Sequence, residues 1–125
     1  PLGGGVLTGK YNVSPPPGAR FTDYLIKGEE RQRKMAERFV NARTIETTRR
    51  MEQIAESIGT TVTALAVAWS RQHDFVASTI IGATSTEQLL ESLAARDYRR
   101  RIATIIRIRR VTRFLRRGIC KNSLL

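Results

Sequence analysis

Residues 1–11 (PLGGGVLTGKY) and 80–93 (IIGATSTEQLLESL) hold the side chains best placed for chemistry in this chain. In the first, Gly3, Gly4 and Gly5 follow Pro1 and Leu2, with Thr8, Gly9 and Lys10 close behind. Glycine removes the Cβ that would keep a ligand from the backbone, and the N–H groups of such a turn form a concavity that holds anions. Lys10 adds a cation able to meet phosphate. The second segment sets a glycine turn, hydroxyls and an amide beside a short helix, whose N-terminal dipole favours a phosphate. A glycine turn alone is more often a plain turn than a cofactor cradle, and the spacing of Lys10 does not fit a P-loop. Together, the two segments describe a cradle for a phosphate-bearing cofactor.

The elements between them must set that cradle. Residues 1–10 read as a strand end running into the glycine turn, and 14–18 (SPPPG) as a stiff connector. Met35, Ala36, Phe39 and Val40 fall at helical spacing. Met51, Ile54, Ala55 and Ile58 mark a helix capped by Thr47 or Thr48 and closed by Gly59. Thr60 or Thr61 caps the next, which carries Val62, Leu65, Ala66 and Trp69 and ends near Gln72 and His73. Residues 75–81 (FVASTII) are β-branched and apolar, as in a strand buried on both faces of a parallel sheet. Ser85 or Thr86 then caps a helix whose Leu89, Leu90 and Leu93 point inward. Helices alternating with a buried strand give the rhythm of an α/β barrel.

Bulk composition narrows the classes further. At 125 residues the chain is about half of a (β/α)8 barrel, which needs about 250. The net charge of +11 is unevenly spread. Residues 1–95 carry eleven Lys/Arg against ten Asp/Glu, whereas 96–125 carry eleven against Asp97 alone. Two regions follow, a domain over 1–95 and an arginine-rich tail over 96–125. A single cysteine, Cys120, excludes an internal disulfide framework. With no apolar run of membrane-spanning length and no signal-peptide pattern, a cytoplasmic, soluble protein is expected. Trp69 reads as core packing and His73 as a polar helix-end residue, since no metal-ligand partner stands at the right spacing. The pairs Glu29–Glu30 and Arg49–Arg50 read as solvated helix faces.

Over roughly residues 1–95 the chain resembles the last third of an aldo-keto reductase, the NADP(H)-dependent (β/α)8-barrel oxidoreductases. In that family a loop of pattern Ser-Pro-Leu-x-x-Gly-x-Leu-(Thr/Ser)-Gly-Lys-Tyr wraps the cofactor pyrophosphate. Pro1, Leu2, Gly3, Gly4, Gly5, Thr8, Gly9, Lys10 and Tyr11 match it, and Arg20 matches a following phosphate-binding arginine. Gly82, Thr84, Gln88, Glu91 and Ser92 fall on positions that grip the adenosine half. The resemblance implies a fold that is the C-terminal portion of a TIM barrel, and NADP(H) as cofactor. NAD(H) is admitted as well, because Thr84 stands where the family often has a bidentate arginine. Ile81 likewise replaces a frequent proline. The family's substrates are aldehydes or ketones, reduced by hydride transfer. Its catalytic Asp, Tyr, Lys and His lie on earlier strands, and no residue here corresponds to them. The chain opens at Pro1, inside the motif, and is expected to be a catalytically inactive, cofactor-binding fragment.

The tail keeps two readings open. Ten arginines in residues 96–117 are interleaved with Ile102, Ile105, Ile106, Ile108, Val111, Phe114 and Leu115. One reading is a moderately amphipathic basic helix for nucleic acid or an anionic membrane, which makes the protein a binding module. The other is an out-of-frame extension of the reductase fragment.

Overall fold

A computed structural model describes residues 1–73, 75–96 and 98, and the regular elements among them are helical. Two short 3-10 turns meeting at a kink at Gly4 and Gly5 span Gly3–Thr8 and are followed by α1 (Arg20–Lys27), α2 (Glu30–Phe39), α3 (Ala42–Ser57), α4 (Val62–Arg71) and α5 (Thr86–Leu93). A last 3-10 turn spans Ala94–Arg96.

Local chemistry sets the boundaries. Glu29 and Gln32 cap α2 reciprocally, the Glu29 N–H donating to Gln32 Oε1 at 3.0 Å. Asn41 and Thr44 do the same for α3, each backbone N–H donating to the other's side chain at 3.1 Å. This displaces the cap expected at Thr47 or Thr48. Both threonines lie inside α3, buried, with hydroxyls donating at 2.8 Å to the carbonyls of Arg43 and Thr44. A threonine that returns its hydroxyl to the preceding turn is satisfied inside a helix, so it need not end one. Thr61 caps α4 and Ser85 caps α5, as the sequence suggests.

Two apolar clusters hold the chain together. In one, Met51 and Ala55 of α3 meet Val62, Leu65, Ala66 and Val67 of α4, with Ala95. In the other, Val6, Tyr11, Phe21 and Ala36 join α1, α2 and the glycine segment. Phe21 stacks on Phe39 at 5.5 Å between ring centroids. Leu2 and Leu7 pack on the first cluster while Val6 belongs to the second, so the glycine segment is wedged between the two.

Three expectations fail here. Residues 75–81 are not a strand, and no strand occurs among the described residues; Phe75 and Ile80 are each 85% exposed. A strand satisfies its backbone through neighbouring strands, and none is present to pair with this one. The opening residues likewise form a 3-10 segment and not a strand end. The leucine face of α5 is not inward either. Leu90 and Leu93 are 62% and 52% exposed, and the buried side chain of that helix is Ser92. α5 meets the molecule through α4 and the Ala94–Arg96 turn, and nothing described covers its other side. The helix expected in the arginine-rich tail lies outside the described residues. Among those described, no helix is long and apolar enough to cross a membrane.

Candidate functional site

Gly3, Gly4 and Gly5 take φ values of 56°, 66° and 94°, three left-handed residues in succession, which side-chain-bearing residues adopt only with strain. Leu2 O accepts from the N–H groups of Gly5 and Leu7 at 3.0 and 3.1 Å, folding the segment back on itself. The Thr8 hydroxyl donates to Gly5 O at 2.8 Å.

The bare glycine faces, expected to admit a ligand, are partly used by the protein itself. The Phe21 ring lies where a Cβ on Gly4 would stand. Lys10 folds back over Gly5, its Nζ 2.8 Å from the place of a Gly5 Cβ. That ammonium is also 5.3 Å from the centroid of the Tyr11 ring, within cation–π range. Lys10 is therefore exposed to solvent yet aimed at the glycine backbone.

Arg20 opens α1, also exposed. Its chain neighbour Phe21 meets Tyr11, the neighbour of Lys10. The Phe21 N–H donates to the Tyr11 hydroxyl at 3.3 Å, and those two rings stand 6.2 Å apart. Pro1 is exposed, and Leu2 packs on the α3–α4 cluster. The first segment is thus gathered into one unit.

The second segment is a separate unit, joined to the first through α4, on which both pack. Gln88 Oε1 accepts from both the N–H and the hydroxyl of Thr84 at 3.1 Å, closing the loop before α5. Gly82 is exposed, Glu91 is half-buried, and Ser92 is buried. Ser92 thus faces the packing side of α5 and not an open cleft. The α5 N-terminus already holds a carboxylate. Ser85 donates to Glu87, and with help from the Glu87 backbone N–H this lowers the carboxyl pKa below the usual glutamate value. A depressed folded-state pKa stabilises the fold above the unfolded-state value and loses that contribution as pH falls through the folded one. Acidification is therefore expected to loosen the start of α5, and Glu87→Gln to remove that dependence. An NMR titration placing the Glu87 carboxyl at or above the ordinary glutamate value would contradict the contact.

The remaining reactive side chains are engaged elsewhere. His73 lies just past α4, edge-on to Trp69 at 5.0 Å and stacked on Phe75 at 5.1 Å. Trp69 is half-buried, with Nε1 buried and unpartnered among the described residues. Tyr98 donates its hydroxyl to Gly59 O at 2.9 Å. No group of three or more metal-ligating side chains occurs among the described residues.

A glycine-rich loop ending in Gly-Lys-Tyr, set on a helical pair and followed by a Gly-Ala-Thr loop opening α5, is a pairing that can be compared with known proteins. The family model of the aldo/keto reductases matches residues 1–112. The chain belongs to the aldo/keto reductase family. The match runs past residue 95, where the charge balance changes. Similar curated proteins include three described as voltage-gated potassium channel subunit beta. The one from Schizosaccharomyces pombe is 34% identical over 102 residues, covering 78% of this chain and 27% of its own length. Those from Arabidopsis thaliana and Oryza sativa subsp. japonica are 35% and 34% identical over 98 residues, covering 78% of this chain and 28% of their own lengths. The chain thus spans just over a quarter of the curated relatives it matches. Aldo/keto reductases are (β/α)8 barrels that generally bind a nicotinamide cofactor, and the described residues of this chain supply helices of such an architecture without its strands.

Proposed function

We propose that this chain is the dinucleotide-holding part of an NADP(H)-dependent aldo/keto reductase and carries none of the family's catalytic tetrad. The observation that supports this most is the solvent-facing Lys10 ammonium laid over Gly5, the last of three successive left-handed glycines. Such a donor set suits a pyrophosphate, a compact dianion that a point charge and backbone N–H groups can hold together.

Lys10 and Arg20 act by charge, and Pro1, Leu2, Gly3, Gly4 and Gly5 shape the backbone beside them. Gly82 and Thr84 form the loop on the adenosine side. Gln88, whose Oε1 is committed to Thr84, offers its Nε2 as a donor there, and Glu91 offers an acceptor. Ser92, buried against the core, supports α5 from behind. Thr84 supplies no guanidinium for a 2′-phosphate, so NAD(H) is accepted alongside NADP(H). When bound, the nicotinamide supplies hydride to an aldehyde or ketone carbonyl.

Proton donation needs a tyrosine open to substrate, and two of the three tyrosine hydroxyls are hydrogen-bonded within the chain. Tyr11 is buried with its hydroxyl accepting from Phe21, Tyr24 packs beside Phe21, and Tyr98 is bonded to Gly59. The 125-residue chain is accordingly expected to give saturable enhancement of NADPH fluorescence, yet no NADPH oxidation with a broad aldehyde panel. Turnover in a preparation free of host reductases would overturn the inactive assignment, and absence of saturable binding would overturn the cofactor assignment.

A second proposal rests on charge segregation. Residues 96–125 hold eleven of the 22 Lys/Arg with Asp97 as their sole acid, a composition that suits nucleic acid or anionic lipid. Such binding falls steeply as salt rises, and disappears on deletion of those residues.

A further inference from the structure

We infer that Arg49 and Glu52, one helical turn apart on α3, are positioning residues that fix the turn presenting Lys10 to the dinucleotide; this rests on the cofactor assignment proposed above. Residues three apart on a helix share a face, so the two side chains reach one spot together. That spot is Asn12. Arg49 donates a guanidinium N–H to the Asn12 carbonyl at 2.6 Å, and Asn12 Nδ2 donates to Glu52 Oε2 at 2.8 Å.

The same carboxylate reaches the other end of the turn. Gly9 has φ 81°, and Glu52 Oε1 lies 2.6 Å from where a Gly9 Cβ would stand. One oxygen of Glu52 therefore holds Asn12 while the other fills the bare face of Gly9. Between them the Asn12 N–H donates to Gly9 O at 2.9 Å, which closes a four-residue turn. Lys10 and Tyr11 are its two central residues. With both ends pinned to α3, the direction in which Lys10 leaves the backbone is fixed.

Burial makes the clamp specific. Asn12 is only 7% exposed, so its amide needs a partner. Its Oδ1 is buried and unpartnered among the described residues. Rotating the amide would set that oxygen against the Glu52 carboxylate, acceptor facing acceptor, so Glu52 selects a single orientation. Arg49, expected from sequence on a solvated helix face, is exposed there and also bridges 37 residues of chain.

The test is amide hydrogen exchange on the full 125-residue chain, with and without NADPH, alongside NADPH titration. Arg49→Met and Glu52→Ala are each expected to speed exchange at the Asn12 amide about tenfold, and to leave the amides of α4 unchanged. Each is also expected to raise the NADPH dissociation constant about tenfold, with Glu52→Gln, which keeps an acceptor for Asn12, recovering most of both effects. Unchanged exchange at Asn12 in both variants would overturn the inference. Uniform loss of protection across α3 and α4 would overturn it too, because the pair would then hold the fold and not the turn. If the unsubstituted chain binds no NADPH, the cofactor assignment falls, while the ligand-free exchange still decides whether α3 sets this turn.

Discussion

Replacing Lys10 with alanine is expected to weaken NADPH binding by about tenfold or more. A charge-assisted contact contributes about 1.5–3 kcal/mol, and each 1.4 kcal/mol is about tenfold in affinity. Because Lys10 is exposed, solvent screening places the loss toward the lower end of that range. Arg20→Ala should act in the same direction, since the proposed site gives its guanidinium a contact with the same phosphate. Both losses should shrink as ionic strength rises, whereas a purely structural effect would not. Titration of each variant by NADPH fluorescence, at two salt concentrations, gives the answer. Unchanged affinity in both variants would remove these residues from the site.

The sequence made some of this architecture legible and left other parts hidden, along a physical divide. Helix ends set by local chemistry could be read directly, as with Gly59 after α3, Thr61 before α4 and Ser85 before α5. Each is decided by a side chain within a few residues of the boundary. Asn41 was missed as the α3 cap because Thr47 and Thr48 offer the same chemistry six residues later, and only burial shows where their hydroxyls go. α1 was hidden because it follows the proline-rich connector closely and its apolar residues, Phe21, Tyr24 and Leu25, answer to α2 and not to a long periodic run.

Non-local partners account for the remaining differences. Residues 75–81 have the composition of a central strand, but composition cannot supply the strands that would pair with it. The glycine segment was readable as a turn that needs left-handed backbone, and its φ values agree. What covers the glycines was not readable. Phe21, Lys10 and Glu52 reach Gly4, Gly5 and Gly9 from α1, from the turn itself and from α3, and no spacing rule connects them. The phosphate-binding role proposed for the loop and its hydrogen bonds to α3 thus have separate origins in the chain. The first lies in eleven consecutive residues, the second in the packing of residues 37 and 40 positions apart.

The largest stability loss is expected at Phe21. Its ring is 1% exposed, stacks on Phe39 at 5.5 Å, and lies about 6 Å from the rings of Tyr11 and Tyr24, at 6.2 and 6.1 Å. Truncating a buried phenylalanine to alanine costs about 3–5 kcal/mol through lost transfer energy and the cavity left behind. Against a typical total of about 5–15 kcal/mol, Phe21→Ala should shift the urea midpoint severely. A loss below about 1 kcal/mol would mean that the ring is not a packing centre. Gly4 supplies a sharper test, because the Phe21 ring occupies the space a Gly4 side chain would need. Gly4→Ala alone should destabilise the chain twice over, by the strain of φ 66° and by collision with that ring. In the Phe21→Ala background the backbone strain persists but the collision is gone, and the new methyl enters the cavity. Gly4→Ala should therefore cost less there than in the parent chain, and the difference in a double-mutant cycle isolates the ring contact from the backbone term. Equal costs in the two backgrounds would place the Gly4 requirement in the backbone alone, and would detach the glycine segment from the aromatic cluster that is taken here to anchor it.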